Sequence, residues 1–354
     1  MLPEQYYGLA TGIGSLSFTD PDPAIDLIFN CFRRIPHWPQ LPRRGSAEGL
    51  VSQYLHILLR EDMLVMNGHQ PVFTSDRSRW EESLMGLYEL LADPSPRSKG
   101  QGDPFALPPS SAAGFYEFVR RVPALPGAPL CLKGQVAGPV TVGFQVTDPE
   151  KRPSFYNDTL REIINHVLAR QAGWQVKTLR ALGYPVLLFI DDPAVYSYGS
   201  STAVGLGRRE IQEALKIIIE EIRSEEGYTG VHCCAGIDWS LLTELDLDIL
   251  SFDAYGYFSS LLVYSEELNS FLKRGGVLAW GLVPTSDAAW QEDSCSLLER
   301  LQRGIEALAR RGVDEGRLNR QLMITPSCGT GTLPVDLMKR VYHLTAELIS
   351  KLQE

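Results

Sequence analysis

The sequence has few of the features that indicate a secreted, membrane-bound or nucleic-acid-binding protein. Six cysteines among 354 residues are too few for a disulfide framework. No run approaches the roughly 18 apolar residues that a membrane span requires. No cluster of lysine and arginine stands out against the formal net charge of -10. We therefore expect no binding to nucleic acid or to membranes.

The first residues, MLPEQYYGLATGIGS, also lack the basic start and apolar centre of a secretory signal. We expect a cytoplasmic protein with reduced thiols. Hydrophobic residues make up 44% of the chain and charged residues 21%, which is enough apolar material for a sizeable core. The length suits one large α/β unit, and we expect a single domain over residues 1–354.

Short apolar runs alternate with helical patterns, most regularly in the second half of the chain. Repeated strand–helix units predict parallel strands with helices packed outside. About eight strands can be counted, which predicts a closed (β/α)8 barrel, the TIM-barrel fold. The predicted strands are Leu9–Ile13, Trp38–Leu41 (the doubtful one), Leu130–Gln135, Pro185–Ile190, Tyr228–His232, Asp248–Phe252, Gly276–Trp280 and Gln321–Thr325. The main predicted helices are Asn157–Leu182, Arg208–Arg223 and Pro334–Lys351.

Residues 60–112 interrupt this alternation. Asn67-Gly68 between two apolar stretches is a strong signal for a hairpin turn. A Pro/Gly/Ser-rich loop follows in the same region. We interpret residues 60–112 as a hairpin and loop decoration inserted into the barrel.

Three of the chain's six histidines and six cysteines are adjacent, in His232-Cys233-Cys234 at the end of a predicted strand. Because side chains alternate along a strand, His232 and Cys234 should face the barrel mouth and Cys233 the helices. Two later strand ends bring further ligand types, Asp253 and Cys328. Imidazole, thiolate and carboxylate groups from three strand ends predict a zinc site. The alternatives are cysteines that merely fill the core and a vicinal redox pair, which would form only with strain.

Two more strand ends carry polar residues. Asp192 before Pro193 is typical of a helix cap. The cap explains Asp191 less well, since alternation directs one of the pair into the mouth, where it would suit an ammonium group. After the first strand, the glycine-bounded turn TGIGS could hold a carboxylate through its N–H groups.

Taken in order, these segments resemble the catalytic barrel of cobalamin-independent methionine synthase. That family belongs to the superfamily of uroporphyrinogen decarboxylase and the zinc corrinoid-linked methyltransferases. The matching segments are TGIGS at 11–15, LKGQVAGPVT at 132–141, IDDP at 190–193, VHCC at 231–234, SFDA at 251–254 and TPSCG at 325–329.

The resemblance implies a set of site residues. Zinc would be bound by His232, Cys234, Asp253 and Cys328, with Asp253 one methylene shorter than the family's usual glutamate. The carboxylate of homocysteine would meet the turn at Ile13, Gly14 and Ser15. Its ammonium would meet Asp191, which is the residue expected to take part in catalysis.

Two departures from the family concern the methyl donor. Residues 280–285 lack the histidine of the family's His-Ser-Pro pattern, and residues 142–144 lack the tryptophan of folate-dependent members. A folate must be protonated to leave, and general acid help of this kind is worth about 10²–10⁴-fold. Co(I) leaves a methylcorrinoid without a proton. We therefore expect methylation of homocysteine by methylcobalamin or a corrinoid protein, as in the single-barrel core methionine synthases.

Three rival functions stay open at this point. One is methyl transfer to another thiol such as coenzyme M, which carries no ammonium for Asp191. A second is a decarboxylase of the uroporphyrinogen type, which would not need three metal ligands and whose arginine-rich motif is not seen. The third is a metal-storing or regulatory protein that binds zinc tightly without methyl transfer.

Overall fold

Nine strands and thirteen α-helices form within the described residues of the computed structural model, which are 8–94, 102–125, 127–201, 203 and 205–353. The strands are β1 (Leu9–Ala10), β2 (Leu64–Asn67), β3 (Gln70–Phe73), β4 (Leu132–Ala137), β5 (Val186–Asp191), β6 (Tyr228–Cys233), β7 (Ile249–Phe252), β8 (Val277–Val283) and β9 (Leu322–Pro326). The helices are α1 (Pro21–Cys31), α2 (His56–Arg60), α3 (Trp80–Ala92), α4 (Ala113–Arg121), α5 (Pro139–Gln145), α6 (Asp158–Arg180), α7 (Arg208–Ser224), α8 (Ser240–Thr243), α9 (Phe258–Leu261), α10 (Ser265–Lys273), α11 (Ser294–Ala309), α12 (Glu315–Arg320) and α13 (Val335–Gln353).

Seven strands form one sheet in the order β1-β9-β8-β7-β6-β5-β4, and all neighbouring pairs in it are parallel. The sheet curls through 216° and stays open between β1 and β4. The prediction of a closed (β/α)8 barrel is therefore wrong. The α/β class and the parallel strands with helices around them are as predicted, and β4 to β9 lie within a few residues of their expected positions.

The missing strand is the predicted one at 38–41, and its absence has a physical cause. We call residues 36–41 the proline segment, because Pro36 and Pro39 interrupt it and proline has no N–H to donate to a strand ladder. The segment lies between the two open edges but makes only isolated bridges to them. These bridges pair His37 with Lys133 and Gln40 with Ser15.

Alternate residues of each strand point into the curl of the sheet. Toward the amino ends of the strands, the inward side chains form an apolar cluster that we call the floor. It consists of Leu9, Ile35, Cys131, Leu187, Phe189, Ile249, Val277, Ala279 and Met323. The outward side chains pack on the helices in a larger core that extends from Ala10 to Leu348.

The predicted decoration contains the antiparallel hairpin of β2 and β3, with Gly68 at a φ of 63° in its turn. A bridge from Val72 to Thr147 joins the hairpin to the loop after α5. Residues 95–101 of the predicted loop lie outside the described residues. Across the described part of the chain, no helix has both the length and the apolar composition that crossing a membrane demands.

Candidate metal centre

The three predicted ligands His232, Cys234 and Cys328 lie together in the structure. One potential ligand atom from each lies within 4.8 Å of the others. Neighbouring ligand atoms around a tetrahedral zinc ion are roughly 3.5–3.8 Å apart, so the cluster has about the dimensions that such an ion requires. His232 is contributed by the end of β6, Cys234 by the residue just after it, and Cys328 by the loop after β9.

The adjacent cysteines Cys233 and Cys234 have different surroundings. Cys233 is fully buried in the core between sheet and helices, and burial raises the pKa of its thiol to about 12. Cys234 is partly exposed, and a hydrogen bond from the Cys328 thiol lowers the pKa of Cys234. The same hydrogen bond, together with burial, raises the pKa of Cys328. Cys234 and Cys328 therefore interact with each other, and Cys233 lies apart in the core.

His232 is held in an orientation that suits a metal ligand. Its Nδ1 lies 2.9 Å from the hydroxyl of Ser251, the register neighbour of His232 on β7. Its Nε2 is buried and has no hydrogen-bond partner among the described residues. With a proton on Nδ1 donated to Ser251, the imidazole presents an unprotonated Nε2. A buried nitrogen without a partner is rare in proteins and is explained here if the atom is a ligand.

The fourth predicted ligand, Asp253, is not part of the cluster. Beyond β7 the chain turns, and the carboxylate of Asp253 accepts the N–H of Gly256 at 2.7 Å. Burial raises the pKa of Asp253, while backbone hydrogen bonds, including one from Tyr255, lower it. An aspartate that bonds to the backbone a few residues ahead is typical of a turn. The short side chain is engaged locally, so three protein ligands remain together.

A cavity of about 300 Å³ contains the cluster together with Asp191, Ile13 and Ser15. Asp191 is the register neighbour of His232 on β5, and in the part of the chain that the structure describes, its buried Oδ1 has no hydrogen-bond partner. Burial raises the pKa of Asp191 to about 6, while the positive charge of Lys133 lowers it. An open acceptor on a buried acid suits a positively charged group of a ligand. The metal cluster and the predicted ammonium site thus share one cavity.

Asp192 has a structural role that distinguishes it from Asp191. Its carboxylate accepts the N–H of Val140 at 3.0 Å, and the N–H and hydroxyl of Thr141 at 2.8 and 2.6 Å. It therefore caps the first turn of α5 from the neighbouring strand. A Cβ on Gly138 would overlap the Asp192 side chain. The Gly-Pro-Val-Thr sequence at 138–141 is thus explained by this cap.

The turn Ile13–Ser15 lies at the cavity edge and is fixed on three sides. The Ile13 carbonyl accepts from Lys133, the Gly14 carbonyl from Gln40, and the Ser15 carbonyl from Thr330. Gly14 has a φ of 154°, which other residues rarely adopt. Between described residues, no hydrogen bond uses the N–H of Gly14 or Ser15. These N–H groups are available to an anion.

Two residues of the site were given no role by the sequence. Ser251 lies two residues before Asp253, and strand alternation alone would have placed it on the face of His232. Lys133 is a charged residue within the otherwise uncharged run LKGQVA, which is the signal that could have identified it. The cavity wall is completed by Gln40, Pro42 and Leu50, near the proline segment. No residue of the 60–112 decoration is among the described residues that line it.

Comparisons with protein-family models and with curated proteins found no match to the chain. The resemblance to cobalamin-independent methionine synthase therefore rests on the quoted segments alone.

Proposed function

We propose that the protein is a zinc-dependent methyltransferase that methylates the thiol of homocysteine to give methionine, with a methylcorrinoid as donor. The observation that carries the proposal is the cluster of His232, Cys234 and Cys328 in one cavity with Asp191. We further propose that the chain is a member of the methionine synthase-like family and works in the cytoplasm, where thiols stay reduced.

The residues present fit a zinc ion. The unpartnered Nε2 of His232 and the two sulfurs are the soft and borderline ligands that zinc prefers. Three protein ligands leave a fourth position for substrate, as in catalytic zinc sites generally. A zinc ion bound there supplies a Lewis acid that keeps an incoming thiol deprotonated near neutral pH.

The chain's own residues would hold the amino-acid end of homocysteine. Asp191 offers Oδ1 to the ammonium, and the turn Ile13–Ser15 offers two N–H groups to the carboxylate. Ser251 keeps the imidazole of His232 in place through its hydroxyl. With both charged groups of the amino-acid end fixed, only sulfur remains free to meet the methyl group, which is the positioning that accelerates a bimolecular transfer. The ammonium site also favours homocysteine over a sulfonate thiol such as coenzyme M.

The donor is inferred from the acids that the cavity has. Asp191 is the one carboxylic acid among the described residues lining it, and the proposal commits Asp191 to the ammonium. The family's histidine would lie near Leu282, and this leucine is buried. Methyl transfer from a corrinoid forms the S–C bond while the electron pair of the Co–C bond stays on cobalt, so the leaving group takes no proton. Transfer from a folate would need the missing acid. A corrinoid protein is the proposed carrier.

Metal analysis of purified protein tests the zinc site. Wild type and Cys233→Ala should carry about one zinc per chain after growth in zinc-supplemented medium, because Cys233 lies in the core. Cys234→Ala and Cys328→Ala should lose it, since two protein ligands remain. Cys233→Ala is the matched control, because it removes the thiol next to Cys234 in the sequence. Full zinc content in Cys234→Ala would contradict the proposal.

An assay with homocysteine and each methyl donor tests the reaction itself. Methylcobalamin should yield methionine, and methyltetrahydrofolate should yield at least a hundredfold less in the same time, as expected where a general acid is missing. Efficient transfer from the folate would overturn the corrinoid part. Zinc binding without methylation of homocysteine by either donor would favour the storage alternative.

A further inference from the structure

Lys133 is a fully buried lysine that the proposed reaction does not use. It lies on β4, with its side chain inside the curl of the sheet. Its Nζ donates to the carbonyl of Ile13 at 2.6 Å and lies 4.5 Å from the ring centre of Phe189. Removing an ammonium group from water costs several kcal/mol unless it is paired. A methionine would fill this position as well as a lysine does. The buried charge therefore calls for an explanation other than packing.

The partners of Lys133 belong to the two halves of the proposed amino-acid site. The negative charge of Asp191 favours the ammonium form of Lys133, although burial lowers the lysine's pKa to about 8. The two groups form no direct ion pair within the described residues, and Asp191 Oδ1 keeps no partner. The direct hydrogen bond of Lys133 goes instead to the turn that would hold the carboxylate.

The hydrogen bond to Ile13 acts on a single peptide group. The carbonyl of Ile13 and the N–H of Gly14 are parts of the same trans peptide, so they point in opposite directions and polarise together. A cation that donates to the carbonyl makes the N–H on the other side a stronger donor. That N–H makes no hydrogen bond with other described residues. Lys133 thus orients and strengthens the N–H of Gly14, which lies between Ile13 and Ser15, two residues that line the cavity.

We propose that Lys133 is a positioning residue for the carboxylate of the amino-acid acceptor, acting through the Ile13–Gly14 peptide. The inference rests on the proposed function, and it divides recognition of the acceptor in two. Asp191 binds the ammonium directly, and Lys133 positions the carboxylate without contacting it.

Two analogues of homocysteine separate these roles. In 4-mercaptobutanoate the ammonium is missing, and in 3-aminopropane-1-thiol the carboxylate is missing; both keep the thiol at the same distance. Dissociation constants are measured by calorimetry on zinc-loaded wild type, Lys133→Met and Asp191→Asn, without any methyl donor. Thermal unfolding and zinc content of each variant are measured alongside.

Lys133→Met should weaken homocysteine and 4-mercaptobutanoate about tenfold to a hundredfold, the range for a hydrogen bond to a charged group. Binding of 3-aminopropane-1-thiol should stay within about twofold. Asp191→Asn should show the opposite preference between the two analogues. Lys133→Gln, which removes the charge with a smaller change of polarity, should repeat the Lys133→Met pattern and takes its place if that variant does not fold.

Equal weakening of all three thiols by the Lys133 variants would overturn the inference, because it would indicate a general structural role. Unchanged binding of all three would overturn it as well. The proposed function has a separate readout in the wild type: it fails if homocysteine binds no more tightly than ethanethiol, and the Lys133 inference then fails with it.

Discussion

Phe189 and Asp191 lie two residues apart on β5 and point into the same curl of the sheet, yet their surroundings differ. Phe189 belongs to the floor, where nine apolar side chains fill the inside of the curl. Asp191 lies at the strand end beside His232, with one oxygen that has no partner. Side-chain alternation along the strands directs apolar groups into the floor, and two residues later it directs polar groups into the cavity at the strand ends. The floor should therefore serve stability, and the strand ends ligand binding.

The largest expected effect on stability is at the floor. Phe189→Ala should lower the free energy of unfolding by about 3–5 kcal/mol, as large-to-small core substitutions do. Asp191→Asn should not lower it, because burial outweighs the nearby positive charge of Lys133 and raises the pKa of Asp191, so a neutral group of the same shape is favoured. Urea unfolding curves of both variants make the measurement. An equal loss of unfolding free energy in both variants would contradict the distinction between the floor and the strand ends.

Asp192 tests the distinction within a single pair of neighbours. Asp192→Ala removes the cap of α5 and leaves the buried N–H groups of Val140 and Thr141 without an acceptor. We expect a loss of about 2–3 kcal/mol in unfolding free energy. Asp191→Ala should lose less than about 1 kcal/mol under the same conditions, since its Oδ1 has no partner to leave behind. The reverse order would mean that the roles of the two aspartates were exchanged.

A third test concerns His37, which is polar but should serve stability alone. Burial lowers its pKa from 6.5 to about 3, and the nearby Lys133 contributes. Below pH 6.5, His37 therefore binds a proton in the unfolded chain but not in the folded chain. The free energy of unfolding consequently falls as the pH drops toward 3. Between pH 7 and 5 this amounts to about 2 kcal/mol. His37→Gln should lose that part of the pH dependence, measured by unfolding curves at the two values. An unchanged slope would contradict the assignment.

The smallest expected effect is at the strand ends. Ser251→Ala removes the hydroxyl that orients the imidazole of His232. Partners of a metal-bound histidine typically contribute tenfold or more to affinity, so we expect zinc to bind about tenfold more weakly, by competition with a chelator of known affinity. Unfolding of the zinc-free protein should be nearly unchanged. Thr229→Ala on β6, whose hydroxyl bonds Asp248 away from the cavity, is a matched control.

Much of this arrangement could be predicted from the sequence, because it depends on short-range periodicity. Apolar runs between helical patterns gave the positions of the later strands, and alternation along β6 separated Cys233 from His232 and Cys234. Asp253 was predicted as a ligand from its position just after the end of a strand and from the family resemblance. The chain turns there, and a short carboxylate finds backbone N–H groups first.

What the sequence could not supply depends on contacts between distant segments. The hydrogen bond from Lys133 to Ile13 joins residues 120 positions apart, and no local pattern encodes it. The closed barrel was predicted by counting residues 38–41, within the proline segment, as a strand. Three prolines in the run IPHWPQLP were signal enough against that count.

The proline segment gives the sheet a joint that hydrogen exchange should detect. Isolated bridges have no neighbouring rungs, so the amides of Trp38 and Gln40 should open at a lower free energy than those within β5 and β6. The N–H of Gln40 also donates to the Gly14 carbonyl, which shares a peptide group with the N–H of Ser15, one of the two proposed carboxylate donors. A ligand that occupies the turn would restrain this joint. Slower amide exchange at Gln40, a residue outside the metal cluster, would then indicate that the acceptor has bound.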